Sequence, residues 1–338
     1  DQISESLVKR YYFLSEKPEY NFGLIDSKKL GAVFSLNPQF NSLFTGIVGF
    51  SRNSRLQFMG EVNMHFENLM KNAESLDLYW EKIDSSSQVI KAGSFFPHPF
   101  GLDMGLDLKY HYEIFNGLFT KNENRLMLHT FIPFFNSFKV GFTRGKTNVT
   151  QKGDSSGYQV SSYKAFSISS QNDSRNNRVL PYDGKMINIT LDGGIDRKDF
   201  YINSHIESIF FYNLRNQLFM KFQWLMRGLY FYNSRIPKSR YLIYGGATTL
   251  RGYQENTFLS TQYQIYTMEL LYHKISIFQL GCFVDYSSTN IIPFNNYKIG
   301  YGLGMTQMHE NYIIKLEYAL SNLDFKEGKI HIKWIGHF

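Results

Sequence analysis

Residues 297–308 read Tyr-Lys-Ile-Gly-Tyr-Gly-Leu-Gly-Met-Thr-Gln-Met, and residues 312–320 read Tyr-Ile-Ile-Lys-Leu-Glu-Tyr-Ala-Leu. In the first, Tyr297, Ile299, Tyr301, Leu303 and Met305 alternate with Lys298, Gly300, Gly302, Gly304 and Thr306. In the second, Tyr312, Ile314, Leu316, Tyr318 and Leu320 oppose Lys315 and Glu317. A period of two places successive side chains on opposite faces of a strand. Each stretch is therefore a strand with one greasy face and one wet face.

Working outward, the same pattern recurs along the chain. Leu56, Phe58, Val62, Met64 and Phe66 alternate with Gln57, Glu61, Asn63, His65 and Glu67. Met104, Leu106, Leu108, Tyr110 and Tyr112 alternate with Asp103, Asp107, Lys109 and His111. Leu218, Met220, Phe222, Trp224 and Met226 face away from Lys221, Gln223 and Arg227. These strands run to about ten residues, the length that crosses a bilayer at a tilt, whereas a soluble strand is nearer five or six. Charged residues in mid-strand suit a wet lumen better than a dry sandwich core. Sixteen strands are expected, at 44–52, 55–68, 74–83, 87–96, 102–115, 123–132, 136–146, 158–170, 184–195, 200–212, 217–231, 258–273, 275–287, 297–309, 311–320 and 329–338. The fold class is all-β, a 16-stranded antiparallel transmembrane β-barrel, and the even number suits a bacterial single-chain barrel. Short turns such as Asn68–Lys71 and His309–Asn311 are expected at the periplasmic end, and the longer links 146–157, 232–257 and 321–328 outside.

Composition agrees. Aromatic residues make up 17% of the 338 and charged residues only 19%, yet mean hydropathy is −0.31; a soluble domain carries about 25% charge. No stretch approaches the 18 apolar residues of a membrane helix, and the aromatic content excludes disorder. The single cysteine, Cys282, excludes a disulfide scaffold. The net charge of +7 is dispersed, with no nucleic-acid-binding motif, so no nucleic-acid partner is expected. The nine histidines are scattered, no Cys/His/Asp cluster has metal-ligand spacing, and no Gly-x-Ser-x-Gly nucleophile motif is expected. No enzyme, metal or cofactor is expected.

Residues 1–43 differ. Ile3 to Leu14 has helical spacing, with Ile3, Leu7, Val8, Tyr11 and Tyr12 on one side, and two strands follow at 19–26 and 29–36.

One segment departs from a generic barrel: Gly-Gly-Ala-Thr-Thr-Leu-Arg-Gly-Tyr-Gln-Glu-Asn at 245–256. A glycine-rich loop can cradle phosphate, but no helix follows to supply a dipole. Leu250-Arg251-Gly252-Tyr253, with Gly245-Gly246 upstream, resembles the sixth-loop signature of the BamA/TamA (bacterial surface antigen) superfamily of outer-membrane assembly barrels. Glu269 in Thr267-Met268-Glu269-Leu270 resembles that family's acidic position in the next strand. Phe283-Val284-Asp285-Tyr286-Ser287 resembles its Phe-x-Asp-x-Gly motif, with Ser287 where glycine is usual. Phe44–Phe50, Gly300–Gly304 and the aromatic-ended Lys329–Phe338 resemble its first strand, a Gly-rich strand and its closing strand. The wording is similar to compact versions from Bacteroidota.

The resemblance implies a bacterial outer-membrane protein without cofactor, acting on unfolded outer-membrane or secreted protein clients. Its implied partners are outer-membrane lipids and periplasmic or lipoprotein subunits. Residues 1–43 then resemble the end of a POTRA domain, ahead of a barrel at 44–338, and an upstream part is expected. Loop six would fold into the lumen so that Arg251 meets Glu269 and Asp285. Alternation independently turns both acids inward, because Tyr266, Met268, Leu270 and Tyr272, then Leu280, Cys282, Val284 and Tyr286, share the lipid face. The resemblance also implies a weakly zipped lateral gate between first and last strands. There Gly46 and Gly49 weaken pairing, while Ile330, Ile332, Trp334 and Phe338 face lipid. The expected function is insertion, folding or translocation of β-barrel clients. The alternatives are a secretion pore for one dedicated substrate, or a passive porin or a structural barrel subunit of a larger outer-membrane complex.

Overall fold

The structure is a computed structural model and describes residues 2–11, 13–14, 16–26, 29–52, 56–82, 84, 86–132, 135–177, 180–274, 278–290, 297–309 and 311–337. Helix α1 (Gln2–Arg10) precedes a two-stranded hairpin of β1 (Glu19–Asp26) and β2 (Lys29–Ser35). The barrel begins with β3 (Leu43–Arg52), β4 (Leu56–Glu67), β5 (Ser75–Lys82), β6 (Gln88–Phe96) and β7 (Gly105–Phe115). It continues with β8 (Phe119–Ile132), β9 (Phe135–Val149), β10 (Ser161–Asp173), β11 (Gly184–Asp196), β12 (Asp199–Arg215) and β13 (Leu218–Phe231). A short ribbon of β14 (Leu242–Tyr244) and β15 (Phe258–Ser260) interrupts the series. Then follow β16 (Gln262–Lys274), β17 (Phe278–Ser288), β18 (Lys298–Met308), β19 (Tyr312–Leu320) and β20 (Lys329–His337). Each barrel strand pairs antiparallel with its neighbours, and β20 returns to β3, so the sheet is closed.

These sixteen strands are the ones alternation predicts, displaced by a few residues at their ends. Burial is the inverse of a soluble protein's. Leu303 on the outer face is 65% exposed, while inward Asp285 is 0% exposed. A continuous outer coat of large greasy side chains is stable where the surroundings are lipid. Among the described residues no helix is long and apolar enough to cross a membrane; the strands do the crossing.

Two local expectations change. The link read from Lys146 is still strand as far as Val149, and a short helix α2 (Gln151–Ser155) follows. The Thr150 hydroxyl accepts the Gly153 N–H at 3.1 Å, an N-cap. Turn length also does not separate the two ends. The tight turns at 116–118 and 197–198 lie at the same end as loop six, and the ten-residue connection 174–183 lies at the other.

The N-terminal unit sits at the periplasmic end, beside the connection at 97–104. Arg10 pairs with Asp103, and the Tyr11 hydroxyl meets Nε2 of His98 at 3.0 Å. Just before β3, the Asn41 N–H donates to Glu67 of β4 at 2.7 Å, which fixes where the first barrel strand starts.

Candidate functional site

Residues 232–261 connect β13 to β16 and fold back into the barrel. Leu250 is fully buried among Leu242, Tyr244, Tyr263 and Ile265, so the β14–β15 ribbon and the wall of β16 grip the loop by apolar contact. The turn that delivers Arg251 depends on two glycines. Gly246 has φ +103°, and a Cβ there would lie 2.0 Å from the Glu255 carboxylate. That carboxylate accepts the Ala247 N–H at 2.7 Å. Gly252 has φ +89°, and a Cβ would lie 2.5 Å from the Leu320 backbone. The Gly245 N–H donates to the Thr249 hydroxyl at 2.8 Å, and the Tyr253 hydroxyl donates to the Ile299 carbonyl at 3.2 Å.

Arg251 then reaches three strands. Its Nε donates to Asp285 Oδ2 at 2.8 Å and its Nη2 to Oδ1 at 2.7 Å, with the Arg251 main-chain N–H adding a third bond at 3.1 Å. Its Nη1 lies 2.8 Å from Glu269 and 2.8 Å from Glu317. The guanidinium carbon stands 3.4 Å from the Phe283 ring centroid, a cation–π contact. Thr267 donates to Asp285 at 2.8 Å. Lys221 lies 3.5 Å from Glu269 and Lys315 lies 3.0 Å from Glu317. Three cations thus face three carboxylates, the condition under which a buried ion network avoids an uncompensated charge. Burial alone would favour loss of the arginine proton, but the bond to Asp285 and the three negative charges outweigh it and raise its pKa. Glu255 carries no such partner. Burial, with Glu81 and Glu61 adding to it and the Ala247 N–H opposing, pushes its pKa up to about 7. A polar cavity of about 170 Å³ lies beside the network, lined by Lys221, Gln223, Thr248, Arg251, Glu269 and Glu317.

Gly245, Gly246, Leu250, Arg251, Gly252, Tyr253, Glu269 and Asp285 therefore form one site. Glu317 belongs to it as well. Its inward position was readable from the alternation of 312–320, but nothing in its spacing marks it as a partner of Arg251. A second contact, which no spacing in the sequence marks, holds the start of the loop. The Arg240 guanidinium lies 3.4 Å from the Tyr163 ring and 4.9 Å from the Tyr201 ring, with Nε 3.8 Å from Asp196. The Lys238 N–H donates to Gln159 at 3.0 Å.

The expected absence of a Gly-x-Ser-x-Gly motif fails at one string. Gly153-Asp154-Ser155-Ser156-Gly157 has Gly-x-Ser-x-Gly spacing. A nucleophile elbow places its serine on a strand-to-helix turn, whereas Ser155 ends α2 in an outer loop and its hydroxyl donates to the Lys152 carbonyl. Among the described residues no group of three His, Cys, Asp or Glu could hold a metal ion.

At the seam, β20 and β3 share, among the described residues, only four register pairs: His337 with Leu43, Gly336 with Phe44, Ile335 with Thr45 and Trp334 with Gly46. On its other side β20 pairs with β19 from Lys329 to Gly336, and β3 pairs with β4 from Leu43 to Arg52. The ladder stops at Gly46, and Gly49 pairs with Met59 alone. Phe44 and Trp334 meet edge-on at 5.9 Å, and Ile330, Ile332 and Trp334 are exposed on the outer face. Phe338 lies outside the described residues.

An Omp85 superfamily domain matches residues 85–330. Among solved structures, BamA from Haemophilus ducreyi lacking POTRA domains 1–3 is similar, with TM-score 0.62 and 12% identity over 100% of this chain and 78% of that one. CdiB from Acinetobacter baumannii gives TM-score 0.65 and 13% identity over 100% of this chain and 68% of that one. CdiB from Escherichia coli gives 0.61 and 13%, over 98% and 69%. No curated protein matches significantly by sequence. At these identities the structural likeness is one of fold. With the domain match covering most of its length, on a closed barrel whose apolar side chains face outward, the chain belongs to the Omp85 superfamily and is an integral protein of the bacterial outer membrane.

Proposed function

We propose that the chain inserts and folds, or translocates, β-barrel client proteins through a lateral gate between β3 and β20. The observation that carries this reading is the four-pair ladder at the seam, beside neighbours paired along most of their length. An unpaired backbone edge in lipid is unfavourable by several kcal/mol per group. It is relieved when a client strand adds to it, which is β-augmentation. Client folding itself then supplies the driving force, and no nucleotide or cofactor is needed.

The Arg251 network supports the same reading. It ties β16, β17 and β19 to loop six, so the wall next to β20 is braced while β20 itself hangs on β19. Residues 1–43 are read as the end of a POTRA-like periplasmic unit and 44–338 as the barrel, with the periplasmic unit presenting clients or subunits to the seam.

The test is a disulfide across Thr45 and Ile335, register partners at the seam. Thr45→Cys and Ile335→Cys are placed in a Cys282→Ser background. Oxidation is expected to stop client insertion into vesicles and reduction to restore it. A locked barrel that inserts clients at full rate would falsify the gate. Export of a secreted client through a locked barrel would instead establish the secretion pore.

A further inference from the structure

The outside of β9 and β10 changes character within one rung. Their register pairs Val140 with Ile168, Phe142 with Phe166, Arg144 with Lys164, and Lys146 with Ser162. Alternation turns all of these outward. Thr143, Gly145, Tyr163 and Ala165 between them are buried toward the lumen, whereas Phe142, Arg144, Lys146, Lys164 and Phe166 are exposed. The lower rungs are apolar, and the Phe142 and Phe166 rings meet edge-on at 5.7 Å.

The next rung sets a guanidinium directly opposite an ammonium. Such cross-strand partners have Cβ atoms about 5 Å apart, and like charges there repel. Lys146 follows one rung higher. The outward neighbours are Asn124 and Asn122 on β8, paired with Arg144 and Lys146, and Gly193 and Ile195 on β11. None is a carboxylate. No ion pair to Arg144, Lys146 or Lys164 occurs among the described residues. The inward cations behave differently: Arg125, Lys139, Lys221 and Lys315 each lie within 3.5 Å of an acid.

β9 rises toward the outer end and stops at Val149, so the cationic rungs lie where hydrocarbon gives way to the headgroups of the outer leaflet. Three unpaired cations at that boundary need an anion that comes with the membrane. We infer that Arg144, Lys146 and Lys164 form a docking site for the phosphate groups of an outer-leaflet glycolipid. The arginine fork suits two phosphate oxygens at once, the lysines act as point charges, and the two asparagines offer amide donors. Phe142 and Phe166 lie below, in line with the acyl chains. β9 and β10 are the seventh and eighth strands of the ring counted from β3, so the site lies across the barrel from the β20–β3 seam. A lipid bound there anchors the wall opposite the seam.

The test uses the full chain folded in detergent and native mass spectrometry of retained lipid. The probes are phosphorylated lipid A, the same lipid after enzymatic dephosphorylation, and excess inorganic phosphate as competitor. The phosphorylated lipid is expected to be held at least about tenfold more tightly than the dephosphorylated one, with inorganic phosphate failing to displace it. The Arg144→Gln, Lys146→Gln, Lys164→Gln variant is expected to lose that preference. The exchange Arg144→Lys with Lys164→Arg keeps the charges and is expected to keep binding to within about twofold. Equal retention of the two lipids by the unaltered chain overturns the proposal without any variant, so a misfolded variant cannot shelter it. A folded triple variant with full preference overturns it too, and displacement by inorganic phosphate overturns the assignment to lipid.

Discussion

Arg251 and Asp285 are joined by two parallel hydrogen bonds of 2.8 and 2.7 Å between a loop and a barrel strand. This bidentate pair is the centre of the lumen network. Arg251→Ala would leave Asp285, Glu269 and Glu317 facing one another with only two lysines to balance them. Breaking a buried pair in this way destabilises by about 3–5 kcal/mol. Thermal unfolding in detergent is expected to show it, together with loss of client insertion. Arg251→Lys restores charge without the fork and is expected to fall between. Glu317→Gln removes one charged acceptor and is expected to lose about 1.5–3 kcal/mol, less than Asp285→Asn, which alters the acceptor of four hydrogen bonds.

Gly300 on β18 lies against the loop backbone at Arg251. A Cβ there would lie 1.9 Å from the Arg251 carbonyl oxygen, a backbone atom that cannot swing aside. Gly300→Ala is expected to push the loop off the wall, destabilising it by about 1–3 kcal/mol. The loop would become more open to protease while every ionic partner remains. Unchanged protease resistance would count against this close approach.

Arg240 holds the start of the loop against Tyr163, Tyr201 and Asp196. A desolvated cation–π contact is worth about 2 kcal/mol. Arg240→Ala is expected to free this half of the loop, seen as larger and more frequent conductance openings in planar bilayers. The network at Arg251 would remain, so thermal stability should fall less than in Arg251→Ala.

Glu255 makes loop docking depend on pH. Its pKa in the docked loop is about 7, against an ordinary 4.5, with burial as the main cause. The docked state therefore holds the proton more tightly than the released state. Below about 4.5 both states are protonated and docking keeps its full stability. Between the two values the released loop loses its proton first, so docking weakens as pH rises. Above about 7 the dependence is flat. Labelling of a cysteine at Thr248, in a Cys282→Ser background, is expected to speed up as pH is raised. Glu255→Gln should abolish the trend.

The barrel is legible in the sequence because each strand answers to a local rule. A residue's face follows from its parity, and lipid outside makes that parity visible as hydropathy. All sixteen strands, and the inward direction of Glu269, Asp285 and Glu317, follow from this rule alone. The loop-six residues are legible only through a resemblance, since a Gly-Gly-Ala-Thr-Thr-Leu-Arg run has no period to read.

What parity cannot supply is which inward residues meet. Glu317 joins Arg251 across 66 positions of chain, and Arg240 finds Tyr163 and Tyr201. These contacts depend on how a loop folds through the middle of a closed ring. The same holds for the seam: each of β3 and β20 reads as a full strand, yet among the described residues only four pairs join them. By itself the sequence determined the strands and their wet and greasy faces, because both are set by neighbours one and two residues apart. Only the tertiary structure decided the contacts across the lumen and the extent of closure, because these depend on the stagger and curvature of sixteen strands together.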